Sequence, residues 1–502
     1  MIQKWKPAIP VEEILAIVVI GLGVLLRLRQ YLTGRSLWLD EAMLAQSIVD
    51  RSFAGLFLPL EYGQSAPVGF LLVEKIFNLL FGRSEYALRL FPLMAGIASL
   101  WCFYLLLERV TCGPALLAAL ALFAFNPRLI YYSSEVKQYI LDVFFAVLLL
   151  LLASRLLEAR PRQRDFLWLA LAGFAALWFS HPALFVLAGI GLGLAVAYVR
   201  RRDLPSLRLA TGIGLFWLVT IGILYILLLK RLQQDAFMQE YWQAGFFPIP
   251  PWSNTGWFAA NIRENIGIQF GIPYATFLVF GLIVLGWFAL LRSHQDFAIS
   301  LALIFLVTVA ASALKIYPVI ERLILFLVPG GLLLLGKFVE ALQQGLRRNI
   351  VAGRVAVLAL STFLIFGPLS TSLHYLVQPK YYEHIRPAIG FLQEQWQTGD
   401  VLYVSYGAVP AFRFYAPMYG LSDVDFISNE LADYQDPARI LQQLETLRGN
   451  QRVWVLISHV YQDGTFNEKD FLLQYLKQHG ERQREFRAPG SSVYLYLFDL
   501  RE

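Results

Sequence analysis

Long apolar runs alternate with short polar connections through the first three quarters of the chain. Runs of about 20 residues match the hydrocarbon core of a bilayer. They fall near residues 11–28, 90–107, 115–130, 139–157, 166–180, 183–199, 209–229, 273–291, 297–314, 323–342 and 355–373. This pattern predicts about 11 membrane spans. After Tyr375 charges become frequent and the apolar runs shorten. Residues 401–405, 452–457 and 492–498 read as strands, and 385–397, 437–447 and 469–479 as helices. The expected fold class is mainly α. A polytopic transmembrane helical bundle over 1–375 is followed by a small α/β domain over 376–502.

Composition agrees: of 502 residues, 57% are hydrophobic and only 16% charged, more apolar surface than a soluble chain of this size needs. The net charge of +6 belongs to loops facing lipid headgroups and gives no reason to expect nucleic acid. The basic start (Lys4, Lys6) and the first run resemble a signal peptide. However, Arg27, Arg29 and Tyr31 follow instead of a small-residue cleavage site, so the first span is read as uncleaved.

Segment 66–81 is apolar but carries Glu74, Lys75 and Asn78 on one helical face, which suits a helix lying in the interface plane. If it does not cross, the basic loops 158–165 (Arg160, Arg162, Arg164), 200–208 and 343–354 (Arg347, Arg348, Arg354) share a side with Lys4 and Lys6. Basic loops stay in the cytoplasm. The expected location is therefore the plasma (inner) membrane, with a cytoplasmic N-terminus and an extracytoplasmic C-terminal domain. The first outer loop is then 29–89 and an aromatic outer loop spans 230–271. Arg27 and Arg29 sit at the outer end of the first span, against the trend.

The same parity puts several charged residues on the outer side. Asp40 and Glu41 follow Leu37-Trp38-Leu39, just past the first run. An acidic pair so close to hydrocarbon is a functional-site candidate. Glu135 and Lys137 lie in Tyr131-Tyr132-Ser133-Ser134-Glu135-Val136-Lys137-Gln138-Tyr139, His181 lies between two spans, and Glu321-Arg322 follow Tyr317-Pro318. A carboxylate can be a general base for an acceptor hydroxyl or amine. Arg and Lys can hold a phosphate leaving group. Further carboxylates can bind a divalent cation such as Mg or Mn, for which Asp40, Glu41 and Glu135 are the candidates. The reaction that uses all of these is glycosyl transfer from a lipid-phosphate sugar. No glycine-rich phosphate loop is present in the sequence, which disfavours a nucleotide sugar as direct donor.

The ordered set Leu37-Trp38-Leu39-Asp40-Glu41, Ala66-Pro67, Ala87-Leu88-Arg89-Leu90, Ser134-Glu135-Val136-Lys137-Gln138-Tyr139 and Tyr317-Pro318 with Glu321-Arg322-Leu323 resembles the integral-membrane glycosyltransferases of the GT-C superfamily. The nearest likeness is to bacterial relatives of glycosyltransferase family 39, which holds the protein mannosyltransferases and is akin to the lipid A aminoarabinose transferase. That resemblance implies a polyprenyl-phosphate sugar donor and inversion at the anomeric carbon. It makes Asp40 the catalytic carboxylate, Glu41 its partner and Glu135 the second acidic site. Arg322, Lys137 and Arg89 are the candidates for donor phosphate. His181, Tyr139, Tyr317 and Glu321 are the candidates for lining the site. Where eukaryotic mannosyltransferases carry a Ser-Arg-Tyr-type motif, this chain has Glu135 instead, and the acceptor (glycolipid, polysaccharide or protein) stays open.

Three other classes compete. A flippase or transporter would place acids at mid-depth and show internal repeats, and neither is evident. An O-antigen-type ligase or polymerase would carry basic residues in a large late outer loop. A non-catalytic scaffold would use the C-terminal domain as a binding module.

Overall fold

The computed structural model describes residues 11–158, 161–229, 240–428, 436–464 and 466–501. Lys4, Lys6, Arg160 and residues 230–239 of the aromatic loop lie outside the described residues. The chain forms two compact units: Met1–Leu32, Ser65–Val73 and Arg89–Pro379 make one, and Thr33–Gln64, Glu74–Leu88 and Lys380–Glu502 make the other.

The helices up to the end of the first unit are α1 (Val11–Leu32), α2 (Leu39–Asp50), α3 (Val68–Phe81), α4 (Glu85–Val110), α5 (Gly113–Ala124), α6 (Pro127–Tyr132), α7 (Tyr139–Leu156), α8 (Gln163–Phe179), α9 (Ala183–Arg201), α10 (Leu204–Leu224), α11 (Thr255–Ile262), α12 (Thr276–Ser293), α13 (Gln295–Ala313), α14 (Val328–Gly345) and α15 (Ile350–Val377). Among the described residues, eight helices are long and apolar enough to cross a membrane: α4, α7, α9, α10, α12, α13, α14 with the turn before it, and α15. The other three expected runs differ in detail. The first becomes α1, 22 residues that carry Glu12, Glu13, Arg27 and Arg29. Residues 166–180 become α8, of 17 residues.

The run 115–130 is divided at Asn126. Its side-chain oxygen accepts from the N–H of Arg128 (2.9 Å) and of Leu129 (3.0 Å), and Pro127 takes the first helical position. Both features start a new helix. Arg27 explains the other side of the break. It is fully buried, and its guanidinium donates to the carbonyls of Gly23 (3.0 Å) and Ala124 (3.1 Å). A cation thus satisfies a carbonyl at the C-terminal end of α5, where the helix dipole favours it. The charge that ran against the topology trend has a structural task.

α3 is 14 residues long. That is about 21 Å, short of the ~30 Å hydrocarbon core. Its polar face points inward, with Glu74 and Lys75 buried, while Ile76, Leu79, Leu80 and Phe81 are exposed. An outward apolar face suits a helix resting in the interface.

Small residues set the closest helix contacts. A methyl group at Gly189 or Gly193 of α9 would collide with Ile304 or Ser300 of α13, and one at Gly286 of α12 with the carbonyl of Leu334 on α14. This is the small-residue packing that lets apolar helices approach without a solvent-driven force. Asp296, at the start of α13, pairs with Arg200 and Arg201 at the end of α9, at 2.5 Å each.

In the second unit, strands β1 (Val401–Val404), β2 (Phe426–Ile427), β3 (Val453–Ile457), β6 (Glu481–Arg487) and β7 (Tyr494–Asp499) form one sheet in the order β2-β1-β3-β7-β6, and β4 (Gln462–Asp463) pairs with β5 (Phe466–Asn467). β1 runs parallel to β2 and β3, and β7 antiparallel to β3 and β6. Helices α16 (Arg386–Gln395), α17 (Val409–Tyr415), α18 (Pro437–Glu445) and α19 (Glu468–Gln478) accompany it. Ile440 and Leu444 of α18 and Leu472 and Leu476 of α19 bury against Val453, Val455 and Phe498. The strands and helices expected near 401, 452, 492, 385, 437 and 469 are present. β6 was not expected: it reads Glu-Arg-Gln-Arg-Glu-Phe-Arg and is exposed along nearly its whole length. Charge on an edge strand prevents further pairing, but it erases the apolar alternation by which strands are found.

Candidate active site

Asp40 and Glu41 fall in the first turn of α2. Their charge meets the positive end of the helix dipole, and at the other end Lys75 Nζ donates to the carbonyl of Val49 at 2.7 Å. Successive helical residues point about 100° apart. Glu41 is fully buried, whereas Asp40 remains half-buried.

The segment leading into α2 is held by the stretch that opens the C-terminal part of the same unit. The ring of Tyr382 lies 5.6 Å from that of Trp38. Glu383 Oε2 accepts from the N–H of Leu39 at 2.8 Å. His384 Nδ1 lies 2.9 Å from Ser36 Oγ. Arg386 donates through its backbone to Ser36 Oγ at 3.2 Å and through its guanidinium to the carbonyl of Gly34, and it pairs with Glu85 at 2.7 Å. Tyr415 Oη accepts from the N–H of Leu37 at 2.8 Å. Residues 382–386 therefore clamp residues 34–39.

The clamp continues to His459, whose Nδ1 lies 2.6 Å from Glu383 Oε1. Burial lowers the His459 pKa, but the hydrogen bond and charge of Glu383, with the charges of Asp40 and Glu468, outweigh it and raise the imidazole above its ordinary value. Burial pushes Glu468 up to about 7. Asp40 thus belongs to an electrostatic group with Glu383, His459 and Glu468 that sequence reading missed. The only trace is the polar and aromatic run Tyr381-Tyr382-Glu383-His384 after the last apolar stretch. By hydropathy that run is a linker.

Glu135 sits in the first unit, in a loop buried from Tyr131 to Tyr139. Ser133 Oγ donates to the carbonyl of Leu129 (2.6 Å), Ser134 Oγ to that of Tyr131 (3.3 Å), and the Lys137 N–H to the carbonyl of Glu135 (2.7 Å). Glu135 and Lys137 are 1% and 4% exposed, so a solvated loop ion pair does not describe them. Glu135, Arg322, Arg128 and Tyr139 all act electrostatically on the hydroxyl of Tyr132. Arg322 lies over the rings of Tyr139 (5.6 Å) and Trp242 (5.9 Å). It is engaged with aromatic faces of its own unit, an arrangement unlike a side chain extended toward headgroups.

The remaining candidates are more scattered. Tyr317 donates to the carbonyl of Leu323 at 2.8 Å, and its ring meets Phe185 at 5.0 Å. Glu321 is exposed. Its backbone adopts φ 49° and donates to Asn265 Oδ1 at 3.0 Å, fixing the turn that presents Arg322. His181 borders a small cavity lined by Trp178, Leu184 and Leu224, and burial pushes its imidazole down to about 4, which leaves it neutral. Arg89 is fully buried. Among the described residues, no group of three or more His, Cys, Asp or Glu side chains is gathered so as to hold a metal ion.

Residues 64–229 match the family model for dolichyl-phosphate-mannose-protein mannosyltransferases, a stretch that includes α3, the Glu135 loop and His181. No curated protein matches the sequence. ArnT from Cupriavidus metallidurans is similar in fold along almost its whole length. The structure bound to undecaprenyl phosphate matches with a TM-score of 0.55 and 13% identity, over 96% of this chain and 97% of that one. The apo structure gives 0.53 and 14% over the same shares. The oligosaccharyltransferase of Archaeoglobus fulgidus, in complex with Zn and sulfate, matches with 0.52 and 13%, over 87% of this chain and 67% of that one. Identity this low speaks for fold. Over residues 64–229 the chain is similar in sequence to the mannosyltransferase family, and in fold it is similar to ArnT and to the oligosaccharyltransferase.

Proposed function

We propose that the protein transfers a sugar from a polyprenyl-phosphate donor to an acceptor at the outer face of the membrane, with Asp40 as general base and inversion at the anomeric carbon. The glycosyltransferase class and the lipid-linked donor rest on the family match and on the ArnT fold, one structure of which holds undecaprenyl phosphate. Transport without chemistry is not favoured by either. The observation that carries Asp40's role is its setting. It is half-buried at a helix N-terminus, in a segment clamped by Glu383 and beside His459. A base must be held still and yet be reachable.

The chemistry follows in one displacement. The acceptor oxygen or nitrogen attacks the anomeric carbon, Asp40 takes its proton, and the bond to phosphate breaks, releasing polyprenyl phosphate. Phosphate is a good leaving group, so no general acid is required. Arg322, Lys137 and Arg89 are proposed to bind the donor phosphate, with Tyr139, Tyr317, His181 and Glu321 lining the site. A requirement for Mg or Mn is also proposed, with no ligand set and no step assigned to it. Turnover lost to a chelator and restored by either ion would support it. The orientation is part of the reading, and its motive is the shared parity of Arg162, Arg164, Arg200, Arg201, Arg347 and Arg348.

The test is transfer from a polyprenyl-phosphate sugar by purified protein. The product is expected with inverted anomeric configuration by NMR. Retention would sink the mechanism, because it requires a nucleophilic carboxylate with a second one about 5 Å away. In whole cells, cysteines at Ser52 and Asp463 are expected to label from outside and one at Arg162 only from inside.

A further inference from the structure

Within the second unit a cleft of about 470 Å³ opens between Tyr382 and the turn Ala488–Ser492, with Arg487 on its wall. Tyr382 is its aromatic side chain and Arg487 its basic one, and other cations lie on neighbouring rings. Lys380 Nζ lies 4.4 Å from the centre of the Tyr382 ring. Arg487 and Lys469 both lie over the ring of Tyr494, at 5.3 Å and 4.6 Å. The sheet fixes this arrangement, because Arg487 and Tyr494 are cross-strand partners on β6 and β7. The turn is tightened by the N–H of Ala488 on the carbonyl of Val493 (3.0 Å) and by Gly490 at φ 66°. It is also tied to the clamp: Ser491 Oγ accepts from the N–H of His384 at 2.7 Å. Tyr382, which forms the opposite wall, is the residue whose ring meets Trp38, two positions before Asp40.

We propose that this cleft is an acceptor subsite for a saccharide carrying a phosphate or carboxylate. The inference deepens the proposed function and rests on that reading. An aromatic face packs on a sugar ring, and the Arg487 guanidinium in the same cleft selects anionic saccharides over neutral ones. The cleft has the size of a small-ligand site, where ~300–1,000 Å³ is usual. Through Tyr382 and Trp38 its occupancy reaches the segment that carries Asp40. An acceptor gripped by its charged group thus has its attacking hydroxyl oriented by the same clamp that positions the base.

Binding is measured directly, without turnover, by isothermal titration of the full-length detergent-solubilised protein with glucose 1-phosphate, glucose and inorganic phosphate. Glucose 1-phosphate is expected to bind at least tenfold more tightly than either of the others. Arg487→Ala is expected to weaken it about tenfold and Arg487→Glu to abolish it. Arg487 is exposed on an edge strand, so both variants are expected to melt like the parent. Glucose binding as tightly as its phosphate would overturn the anionic class. Inorganic phosphate binding as tightly would overturn the saccharide. Unchanged affinity in both Arg487 variants would overturn the site. Asp40→Asn is expected to keep full glucose 1-phosphate binding, so failure of the cleft and failure of the proposed reaction are read in separate assays.

Discussion

Asp40, the proposed base, and Glu135, the second acidic candidate, are fixed by different kinds of contact. Around Glu135 several bonds are local: Asn126 starts α6, Ser133 reaches back to Leu129, and Ser134 to Tyr131. The Asp40 segment depends on Glu383, His384, Arg386 and Tyr415, which follow more than three hundred positions later. Local bonds form as soon as their own helix does. A segment clamped from afar keeps its shape only when the C-terminal part of its unit is folded around it. The contrast makes Asp40 the place where C-terminal substitutions should be felt.

The largest effect expected is at the base itself. Asp40→Asn preserves size but cannot take a proton, and turnover should fall by about 10²–10⁴-fold while donor binding persists. Glu135→Gln should cost about tenfold or less if the residue only shapes the field. Near-normal turnover in Asp40→Asn would transfer the base role elsewhere.

Next in size is the clamp. Glu383→Ala removes an acceptor for the Leu39 N–H and the partner of His459. Hydrogen bonds to a charged group contribute about 1.5–3 kcal/mol, so turnover should fall roughly 10- to 100-fold with donor affinity unchanged. Glu383→Gln keeps an acceptor for Leu39 and should be milder. Equal effects of the two substitutions would mean that charge, rather than the backbone bond, is what matters.

Arg322→Lys retains the charge but loses the planar group that lies over Tyr139 and Trp242. Donor affinity should weaken by about five- to tenfold and further in Arg322→Ala. A donor titration unchanged in the alanine variant would make Arg322 a packing residue only.

The smallest effect is one of pH. His459 holds its proton more tightly in the folded protein than in the unfolded chain. Its contribution is therefore full below its ordinary value of 6.5 and is lost as pH rises past the raised one. Glu468, pushed up to about 7, acts in the same direction, because its ionisation on the way up is disfavoured in the folded state. The groups facing His459 are Glu383, Asp40 and Glu468. Melting temperature should therefore decline as pH rises from about 4.5 through about 7, the Glu468 part, and on past the raised value of His459. His459→Gln should flatten the upper part of that decline, and an unchanged profile would exclude His459 as its source.

What sequence reading recovered follows the same division. Helices show themselves by apolar runs, and the acidic pair and the Glu135 loop by charge beside such runs. The clamp could not be read, because Tyr382, Glu383 and His384 lie in a short polar stretch with no periodicity. Their partners at Ser36 and Leu39 are brought to them only by the tertiary fold. The break at Asn126 was legible in principle from Asn126-Pro127 but was hidden by the apolar residues on both sides. Arg27 looked misplaced because its partner, the carbonyl of Ala124, exists only once that break has formed.

The glycine contacts between α9 and α13 limit how the molecule can move. Gly189 and Gly193 leave no room for a methyl against Ile304 and Ser300, and Asp296 fastens Arg200 and Arg201 at the ends of the same two helices. Sliding one helix along the other would drive larger side chains into those gaps and break both ion pairs. Shear between this pair is closed off, and a conformational step in the reaction cycle has to carry α9 and α13 together as one rigid strut.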